Sequence, residues 1–376
     1  MDFPVLGDAD VYAALGKSCA DLIMGVGGAT SSCYDPIRPV GMIVYQAIPF
    51  LMSSDTIEQN YITLLLNATC LFVLIASLLV LFRNLSSTSS QKHFIDYMAE
   101  AAIVAFTLVL CVAYLPVRLS DIQSIAFFVA SLAVLSKGER RSNFGALIVA
   151  GLLAGVAILL KQNYVVSIFF LVLFWFCFDF KAQIKSRFKS IFWYLCGVSI
   201  CLIQVAIVYH KSGAFWFYEP AAMEVFAPTN AQPHVELIAY TDPVLGSYVS
   251  QLQTKLSAMQ YTALKFYEGM TKFYWSVYLG KAPLEQTPVA VSISSAKLVV
   301  VQLFLLVAVV LTLVTVYFRN KWASTICFMV MSSAFFTAVL VHTENRYYLM
   351  AKIFCVLMLV LMLVGVSKRY WVRLSS

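Results

Sequence analysis

Two aspartates stand close to the start of the chain, in the stretch "VLGDADVYAALGKS" at positions 5–18. Asp8 and Asp10 are carboxylates that can abstract a proton or hold an oxygen-loving metal ion, and Tyr12 follows them. The structural alternative is a helix cap, because an aspartate ahead of a helix satisfies free N–H groups and favours the positive end of the helix dipole. Taken alone, the stretch favours the cap.

Three basic residues further along the chain carry the same ambiguity. Arg38 precedes a proline, where a guanidinium can hold a phosphate through paired hydrogen bonds or anchor a helix at the level of the lipid headgroups. Lys161 ends the apolar run "GLLAGVAILL", where a lysine usually extends its amine to the membrane surface. Arg118 and Asp121 flank the turn "LPVRLSD", for which a local ion pair is the simplest interpretation.

A late turn, "VHTENRYY" at positions 341–348, concentrates three ionisable residues: His342, Glu344 and Arg346. Lys352 follows inside the next apolar run. Ionisable groups at membrane depth are costly, and they usually mark a functional site or an ion pair. A structural pair of Glu344 with Arg346 or Lys352 is the alternative to a substrate site.

The composition indicates an integral membrane protein in contact with membrane lipids. Hydrophobic residues make up 61% of the 376 residues and charged residues only 12%, whereas soluble chains have roughly half apolar and a quarter charged residues. The net charge of +7 does not predict a nucleic-acid partner, because the basic residues lie between apolar runs. The nine cysteines show no metal-binding spacing. For Cys19 and Cys33 two free thiols are the simpler interpretation, and a disulfide would require an oxidising compartment.

Apolar runs predict an all-α fold, a polytopic membrane helical bundle of about nine spans, since a bilayer crossing takes roughly 20 apolar residues. Three consecutive spans are short, and short segments at membrane depth often line a cavity. The predicted spans are Tyr61–Phe82, Ile95–Tyr114, Asp121–Leu135, Phe144–Leu160, Tyr164–Phe180, Ile191–Tyr209, Leu298–Phe318, Ala323–Val341 and Tyr347–Val366.

The distribution of lysine and arginine predicts the orientation of these spans. Alternate short connections are strongly basic, which assigns them to the inner side: 83–92, 137–141, 181–189, 319–321 and 368–373. The outer side then holds residues 1–60, the turns at 115–121 and 160–164, residues 210–297 and the turn at 341–348. Almost all of the unusual polar residues fall on this outer face.

The chain divides into four regions by this pattern. Residues 1–60 form an outer-face region with two helices lying along the membrane surface, from "DADVYAALGKSCADLIMG" and "RPVGMIVYQAIPFLM". Residues 61–209 hold spans one to six, 210–297 an outer loop region, and 298–376 the last three spans with a basic inner tail. Translocation of residues 1–60 requires the first span to act as the signal, or an earlier helix ahead of this sequence.

The order of these motifs resembles the GT-C superfamily of polyprenyl-phosphate-sugar-dependent glycosyltransferases, above all the protein O-mannosyltransferase-like and aminoarabinose-transferase-like groups. The acidic "GDADVY" precedes two surface helices, the second introduced by "RPVG", and "RLSD" follows on an outer turn. "GLLAGVAILLKQN" is similar to the family's "GLxxGLAxLTRP/K" helix end, and "ENRYYL" to its "ERYxLP" turn. The usual first span, the proline after the "RY" turn and a large soluble C-terminal domain are missing here.

The resemblance implies an inverting transfer of a sugar from a polyprenyl-phosphate donor to a hydroxyl of a glycan, lipid or protein acceptor. It implies that Asp8 is the general base and that Asp10 positions the acceptor. No cofactor is required, although Asp8 and Asp10 together are a possible site for a divalent cation, Mg or Mn. Arg38 and Lys161 would neutralise the leaving phosphate. The other expected site residues would line the cavity or contact the substrate, with the two tyrosines stacking on or hydrogen-bonding to sugar: Tyr12, Tyr34, Arg118, Asp121, His342, Glu344 and Arg346. The active site would face the extracytoplasmic side of the plasma (inner) membrane.

Two other classes fit a polytopic chain. A transporter or flippase would show internal repeats and charges in mid-span, but no inverted repeat is visible and the ionisable residues cluster at outer helix ends. An O-antigen polymerase or ligase relies on arginines in long outer loops, and residues 210–297 contain no arginine.

Overall fold

The computed structural model describes residues 7–28, 31–86, 94–140, 143–177, 184–219, 321–340 and 349–375. Within those ranges the chain consists of helices and the turns between them, and no strand occurs there, which agrees with the predicted all-α fold. The helices are α1 (Gly7–Ile23), α2 (Val40–Met52), α3 (Thr56–Ser86), α4 (Phe94–Cys111), α5 (Asp121–Arg140), α6 (Phe144–Leu160), α7 (Tyr164–Cys177), α8 (Ile184–Val198), α9 (Leu202–Ser212), α10 (Lys321–Leu340) and α11 (Leu349–Ser375). Short 3₁₀ turns follow α4 and join α8 to α9.

Five of the described helices are long and apolar enough to cross a bilayer, which indicates a membrane-embedded protein. They are Thr56–Ser86, Phe94–Cys111, Asp121–Glu139, Ser186–Ser212 and Leu349–Ser367. The fourth combines α8, the 3₁₀ turn and α9, counted as one continuous helix. Three shorter apolar helices accompany them: Val40–Met52, Phe144–Leu160 and Tyr164–Cys177. The predicted count of nine spans is therefore not confirmed, and the predicted span Leu298–Phe318 lies outside the described residues.

Helix α3 shows why these helices suit a membrane. Leu71, Leu74 and Leu78 recur every three or four residues and are buried against the bundle. Leu65 and Phe72, on other faces of the same helix, are exposed. A helix that is apolar on every face can leave such side chains exposed only to lipid or to another apolar partner.

Helix α5 lies at the centre of the bundle. It packs against α3 and α6, and most of its span Asp121–Glu139 is buried by other helices. The sequence predicted a short span that ends at Leu135. The helix instead continues to Arg140, because the polar residues beyond Leu135 remain helical at the end of the bundle. Other helices therefore cover most of this helix, and the expectation that the short spans line a cavity stays a prediction.

Two glycines allow α6 and α8 to approach closely. A Cβ atom added to Gly151 on α6 would lie 2.0 Å from the Tyr194 carbonyl oxygen on α8. A Cβ atom added to Gly197 on α8 would lie 2.2 Å from the Ile148 carbonyl oxygen on α6. Both obstacles are backbone atoms, so neither helix could relieve the clash by moving a side chain. Small residues at such crossings are typical of membrane helix pairs.

Gly151→Ala is therefore expected to push α6 and α8 apart. It should lower the free energy of unfolding by about 1–3 kcal/mol, the usual cost of an overpacked site. The measurement is the unfolding temperature of the purified protein in detergent. Gly365→Ala is the matched control, because an added Cβ atom there meets no atom within 4 Å. Equal unfolding temperatures for the two variants would contradict the close approach.

The ends of the helices gather at two opposite ends of the bundle. At one end Arg83 of α3 pairs with Glu100 of α4, with 2.7 Å between Nε and Oε1, and Lys321 of α10 pairs with Glu139 of α5. These basic helix ends are the ones that the sequence assigns to the inner side, and we call this the inner end. The opposite end, the outer end, holds α1, α2 and four residues that the sequence singled out for chemistry: Arg38, Arg118, Asp121 and Lys161.

Candidate active site

Helices α1 and α2 reach the outer end of the bundle through two further glycines. A Cβ atom added to Gly16 of α1 would lie 2.6 Å from the Gln46 carbonyl oxygen of α2. One added to Gly41 of α2 would lie 2.6 Å from the Leu159 carbonyl oxygen of α6. Helix α1 therefore packs directly on α2, and α2 packs directly on the last turn of α6. Both predicted N-terminal helices are present and pack at the end of α6, whereas their position along the membrane surface stays a prediction.

Cys19 and Cys33 form a disulfide, so the expectation of two free thiols is wrong. The reason is local packing. Cys19 is fully buried on α1 beside α2, and the segment that follows α1 returns to the same helix. The other seven cysteines are not in disulfides: Cys70, Cys111, Cys177, Cys196, Cys201, Cys327 and Cys355. The disulfide fastens the segment that leads to Arg38 onto the helix that carries Asp8 and Asp10.

Replacing both Cys19 and Cys33 by serine is expected to lower stability by about 3 kcal/mol, the value for a closed loop of about 15 residues. The measurement is thermal unfolding of the oxidised protein with and without a reductant. Cys196→Ser is the control, because this free cysteine is exposed. A double-serine variant that unfolds at the wild-type temperature would show that the disulfide does not hold this segment.

The acidic motif lies within the first turns of α1, which begins at Gly7. Asp8 and Asp10 are thus helical residues rather than the N-cap, although a carboxylate in the first turn still interacts favourably with the helix dipole. Asp10 is exposed. The side chain of Asp8 lies outside the described part of the structure, so its role as a base stays a prediction.

The helix does not favour a divalent cation held jointly by these two aspartates. Positions 8 and 10 are two apart in α1, and side chains two apart on a helix do not face one another. Among the described residues no group of three or more histidines, cysteines, aspartates or glutamates could hold a metal ion. We therefore assign no step to Mg or Mn.

Tyr12 links α1 to both predicted phosphate-binding residues. Its buried ring packs with Met42 of α2 and Leu160 of α6, the residue before Lys161. The Arg38 guanidinium carbon lies 5.6 Å from the centre of the same ring, a cation–π distance. Tyr12 thus lies beside Arg38 and against the residue that precedes Lys161, and its predicted contact with sugar stays a prediction.

Arg38 is held by a turn that begins at Asp35. The Asp35 carboxylate oxygen Oδ1 accepts hydrogen bonds from the backbone N–H groups of Ile37 (2.9 Å) and Arg38 (2.8 Å). The same oxygen lies 3.7 Å from Arg38 Nη1. Asp35 was not among the predicted site residues, although an aspartate followed by proline favours turns of this kind.

Lys161 pairs with Asp121, across 40 positions of sequence. Asp121 is the first residue of α5 and is 1% exposed, and Lys161 directly follows α6. The local ion pair of Asp121 with Arg118 that the turn suggested is therefore not formed. The ends of α5 and α6 lie side by side, and this brings the lysine to the aspartate.

Arg118 instead contacts residues of α2 and α3 at the outer end of the bundle. Its Nη2 donates a hydrogen bond to Asn60 Oδ1 at 3.3 Å, and its guanidinium carbon lies 4.9 Å from the centre of the Phe50 ring. Burial lowers the pKa of Arg118. Its surroundings connect α2, α3 and the turn, which is a bracing role, and its predicted contact with substrate stays a prediction.

The turn before α5 is fixed by Asn67, a buried residue of α3 that the sequence analysis missed. Asn67 Nδ2 donates to the carbonyl oxygens of Leu115 (2.8 Å) and Val117 (3.1 Å). Its side-chain oxygen accepts from Tyr45 at 3.3 Å and from Gln123. An asparagine among leucines carries no obvious functional signal, but a buried amide in a membrane helix needs partners. These bonds hold the start of α5, and so Asp121, in place.

A short segment after α9 covers the residues around Arg38. Gln162 Nε2 donates to the carbonyl oxygens of Ile37 and Phe217, each at 3.0 Å. Gln204 Nε2 also donates to Phe217 (3.0 Å), and Gln204 Oε1 accepts from the Val40 N–H at 2.8 Å. The two glutamines thus bind the Arg38 segment to the ends of α6 and α9. No local motif marks either of them.

Tyr34 also binds the short segment after α9. Its hydroxyl donates a hydrogen bond to the Glu219 carboxylate, and the Glu219 N–H donates to the Pro36 carbonyl oxygen at 2.8 Å. Burial, followed by the bond to Glu219, raises the pKa of Tyr34 above its usual value. The hydroxyl predicted to contact sugar is therefore engaged with the protein, and Glu219, 185 positions away, was not foreseen.

Other predicted site residues lie outside the described residues. These are His342, Glu344 and Arg346, together with positions 220–297 of the outer loop region. Lys352 is described, in the first turn of α11.

Comparisons with known proteins add no relative. No protein-family model, no curated protein and no solved structure matches this chain.

Proposed function

We propose that this chain is an inverting glycosyltransferase that moves a sugar from a polyprenyl-phosphate donor to an acceptor hydroxyl. The observation that carries the proposal is the 3.0 Å hydrogen bond between Gln162 Nε2 and the Ile37 carbonyl oxygen. It joins the immediate neighbours of Lys161 and Arg38, two cations that lie 123 positions apart in the sequence. Two cations whose chain neighbours are joined at the outer end of a membrane bundle suit the phosphate of a lipid-linked donor.

The proposed reaction is a direct displacement. The oxygen of the acceptor hydroxyl attacks the anomeric carbon of the sugar, and its proton passes to Asp8. The bond between the anomeric carbon and the phosphate oxygen breaks, and its electron pair leaves with the polyprenyl phosphate. Arg38 and Lys161 stabilise the negative charge that develops there. Asp10 helps to position the acceptor.

Two observations support the extracytoplasmic side of the plasma (inner) membrane as the location of this site. The disulfide between Cys19 and Cys33 belongs to the same outer end as Arg38, and disulfides persist in oxidising compartments. The basic helix ends lie at the opposite, inner end, in keeping with the positive-inside rule.

The positions of the buried charges favour an enzyme over a transporter or flippase. Within the described ranges the buried charged residues are Asp96, Asp121 and Arg187. Each lies in the first turn of its helix rather than in mid-span. Transport pathways usually place ionisable groups inside the membrane.

The proposal is tested with the purified protein in nanodiscs supplied with undecaprenyl phosphate linked to mannose or aminoarabinose. A membrane extract provides glycan, lipid and protein acceptors. The expected result is loss of one donor and release of undecaprenyl phosphate, followed by mass spectrometry. In sealed vesicles, movement of intact donor across the bilayer with no undecaprenyl phosphate released would overturn the proposal and favour a flippase.

A further inference from the structure

Each of the two proposed phosphate-binding cations has a carboxylate beside it. Arg38 lies beside Asp35 and Lys161 beside Asp121. We call these four residues the charge cluster. A site that had only to attract a phosphate would gain more from the cations alone, because each carboxylate weakens the attraction.

Neither carboxylate is free to turn away. The oxygen of Asp35 that faces Arg38 also accepts two backbone hydrogen bonds, from Ile37 and from Arg38 itself. Asp121 is 1% exposed on the first residue of α5, and its second oxygen, Oδ2, is buried with no hydrogen-bond partner in the described part of the chain. A phosphate held by both Arg38 and Lys161, as proposed above, would therefore have the two carboxylates as neighbours.

The donor and the lipid product of the proposed reaction differ in charge. A sugar linked to a polyprenyl phosphate is a phosphodiester with one negative charge. The polyprenyl phosphate left after transfer is a monoester with a second pKa near 6, and it carries about −1.5 to −2 at pH 7. Fixed carboxylates beside the site repel the product more than the donor.

We infer that Asp35 and Asp121 determine specificity for the charge of the lipid phosphate. They make the site favour the phosphodiester donor over the phosphomonoester product, and so they promote release of the product. The inference rests on the proposed function, and it names the property of the substrate that the charge cluster selects.

The test compares the affinities of the full chain, in phosphatidylcholine nanodiscs, for undecaprenyl phosphate and for intact undecaprenyl-phosphate mannose. Asp35→Asn is the principal variant, because an asparagine oxygen can still accept the two backbone hydrogen bonds while the charge is lost. The ratio of product affinity to donor affinity is expected to rise about tenfold. Asp121→Asn is expected to change the ratio in the same direction, provided that its unfolding temperature shows a folded protein.

Glu100→Gln is the matched control. It removes one carboxylate from an ion pair with Arg83 at the inner end of the bundle, and the ratio is expected to stay at the wild-type value. A ratio that stays constant in folded Asp35→Asn, or a fall in both affinities, would overturn the inference and leave the carboxylate with the structural task of holding Arg38.

Further measurements identify the source of the phosphate and show which of the two proposals fails. Inorganic phosphate, or nanodiscs that contain phosphatidylglycerol, should not compete at concentrations equal to the lipid probe. Equal competition would contradict recognition of the polyprenyl phosphate. If the ratio shifts in Asp35→Asn while no sugar is transferred, the charge selection stands and the glycosyltransferase proposal fails. If sugar is transferred while the ratio is constant, the glycosyltransferase proposal stands and the charge selection fails.

Discussion

Replacing Asp8 by asparagine is expected to lower the rate of sugar transfer about 10²- to 10⁴-fold, the usual contribution of a general base. Asparagine has nearly the same shape as aspartate but cannot take up the proton of the acceptor hydroxyl. Position 8 lies one helical turn before Tyr12, and the adjacent Ala9 packs with Val117 and Leu119 on the turn that leads to α5. The backbone of this motif therefore lies against the turn that leads to Asp121.

The measurement is the initial rate of undecaprenyl phosphate release from the donor that the wild-type protein consumes. Asp21→Asn is the matched control, because Asp21 is another aspartate of α1 and is not assigned to the site. Both variants should insert into the membrane, keep the Cys19–Cys33 disulfide and unfold at the wild-type temperature. Wild-type transfer by Asp8→Asn would rule out Asp8 as the base.

How far the sequence could predict the helices is clear from their ends. The predicted limits of Phe144–Leu160 agree with α6 at both ends. Asn143 caps its start by accepting a hydrogen bond from the Ala146 N–H at 3.2 Å, and extended backbone at Lys161 ends it. Helix α3 instead begins before the predicted Tyr61, because polar residues continue the helix beyond its apolar part. Hydropathy detects the apolar part of a helix and not its polar ends.

Most hydrogen-bond and ion-pair partners of the site residues could not be predicted from the sequence. Arg118 and Asp121 are near neighbours in the chain and of opposite charge, yet Asp121 pairs with Lys161. The side-by-side packing of α5 and α6 decides this, and no local pattern reports which helix ends meet. The bond between Tyr34 and Glu219 is equally remote in sequence. Asp35 is the exception, since its turn with Arg38 is local.

The grouping of basic helix ends at one end of the bundle was more accessible to prediction, because it depends on many residues at once. Which side of the membrane that end faces stays a prediction. Each basic connection contributes to the orientation, so an error in one span boundary does not change the result. The structure joins Arg83 to Glu100 and Lys321 to Glu139 at one end, and α1 and α2 lie at the other. A pattern distributed over the chain is therefore predicted better than a contact between two residues.

Lys161→Met is expected to cause two separate losses. The first is in stability, because Asp121 would become a buried charge without its cation, and breaking a buried pair in this way costs about 3–5 kcal/mol. The second is in catalysis, because the leaving phosphate would lose one of its two proposed cations. Removing a single group that stabilises developing charge lowers the rate about 10²- to 10³-fold.

A double variant separates these losses. Lys161→Met combined with Asp121→Asn removes both charges, so the unfolding temperature should recover towards that of the wild type. Sugar transfer should stay low, because the phosphate still lacks its lysine. The measurements are thermal unfolding and the initial rate of undecaprenyl phosphate release, each on the wild type, both single variants and the double variant.

The four rates and four unfolding temperatures distinguish a structural lysine from a phosphate-binding one. If Lys161 served only to neutralise Asp121, the double variant would recover both stability and transfer. If it binds the leaving phosphate, stability and transfer respond differently, and the donor KM rises while the fold is intact. Matched pairs at the inner end provide the reference: Arg83→Met with Glu100→Gln removes both members of the Arg83–Glu100 pair and should leave transfer unchanged. Wild-type transfer by the double variant at Lys161 and Asp121 would exclude the lysine from phosphate binding, because no cation at that position would then be needed for the leaving group.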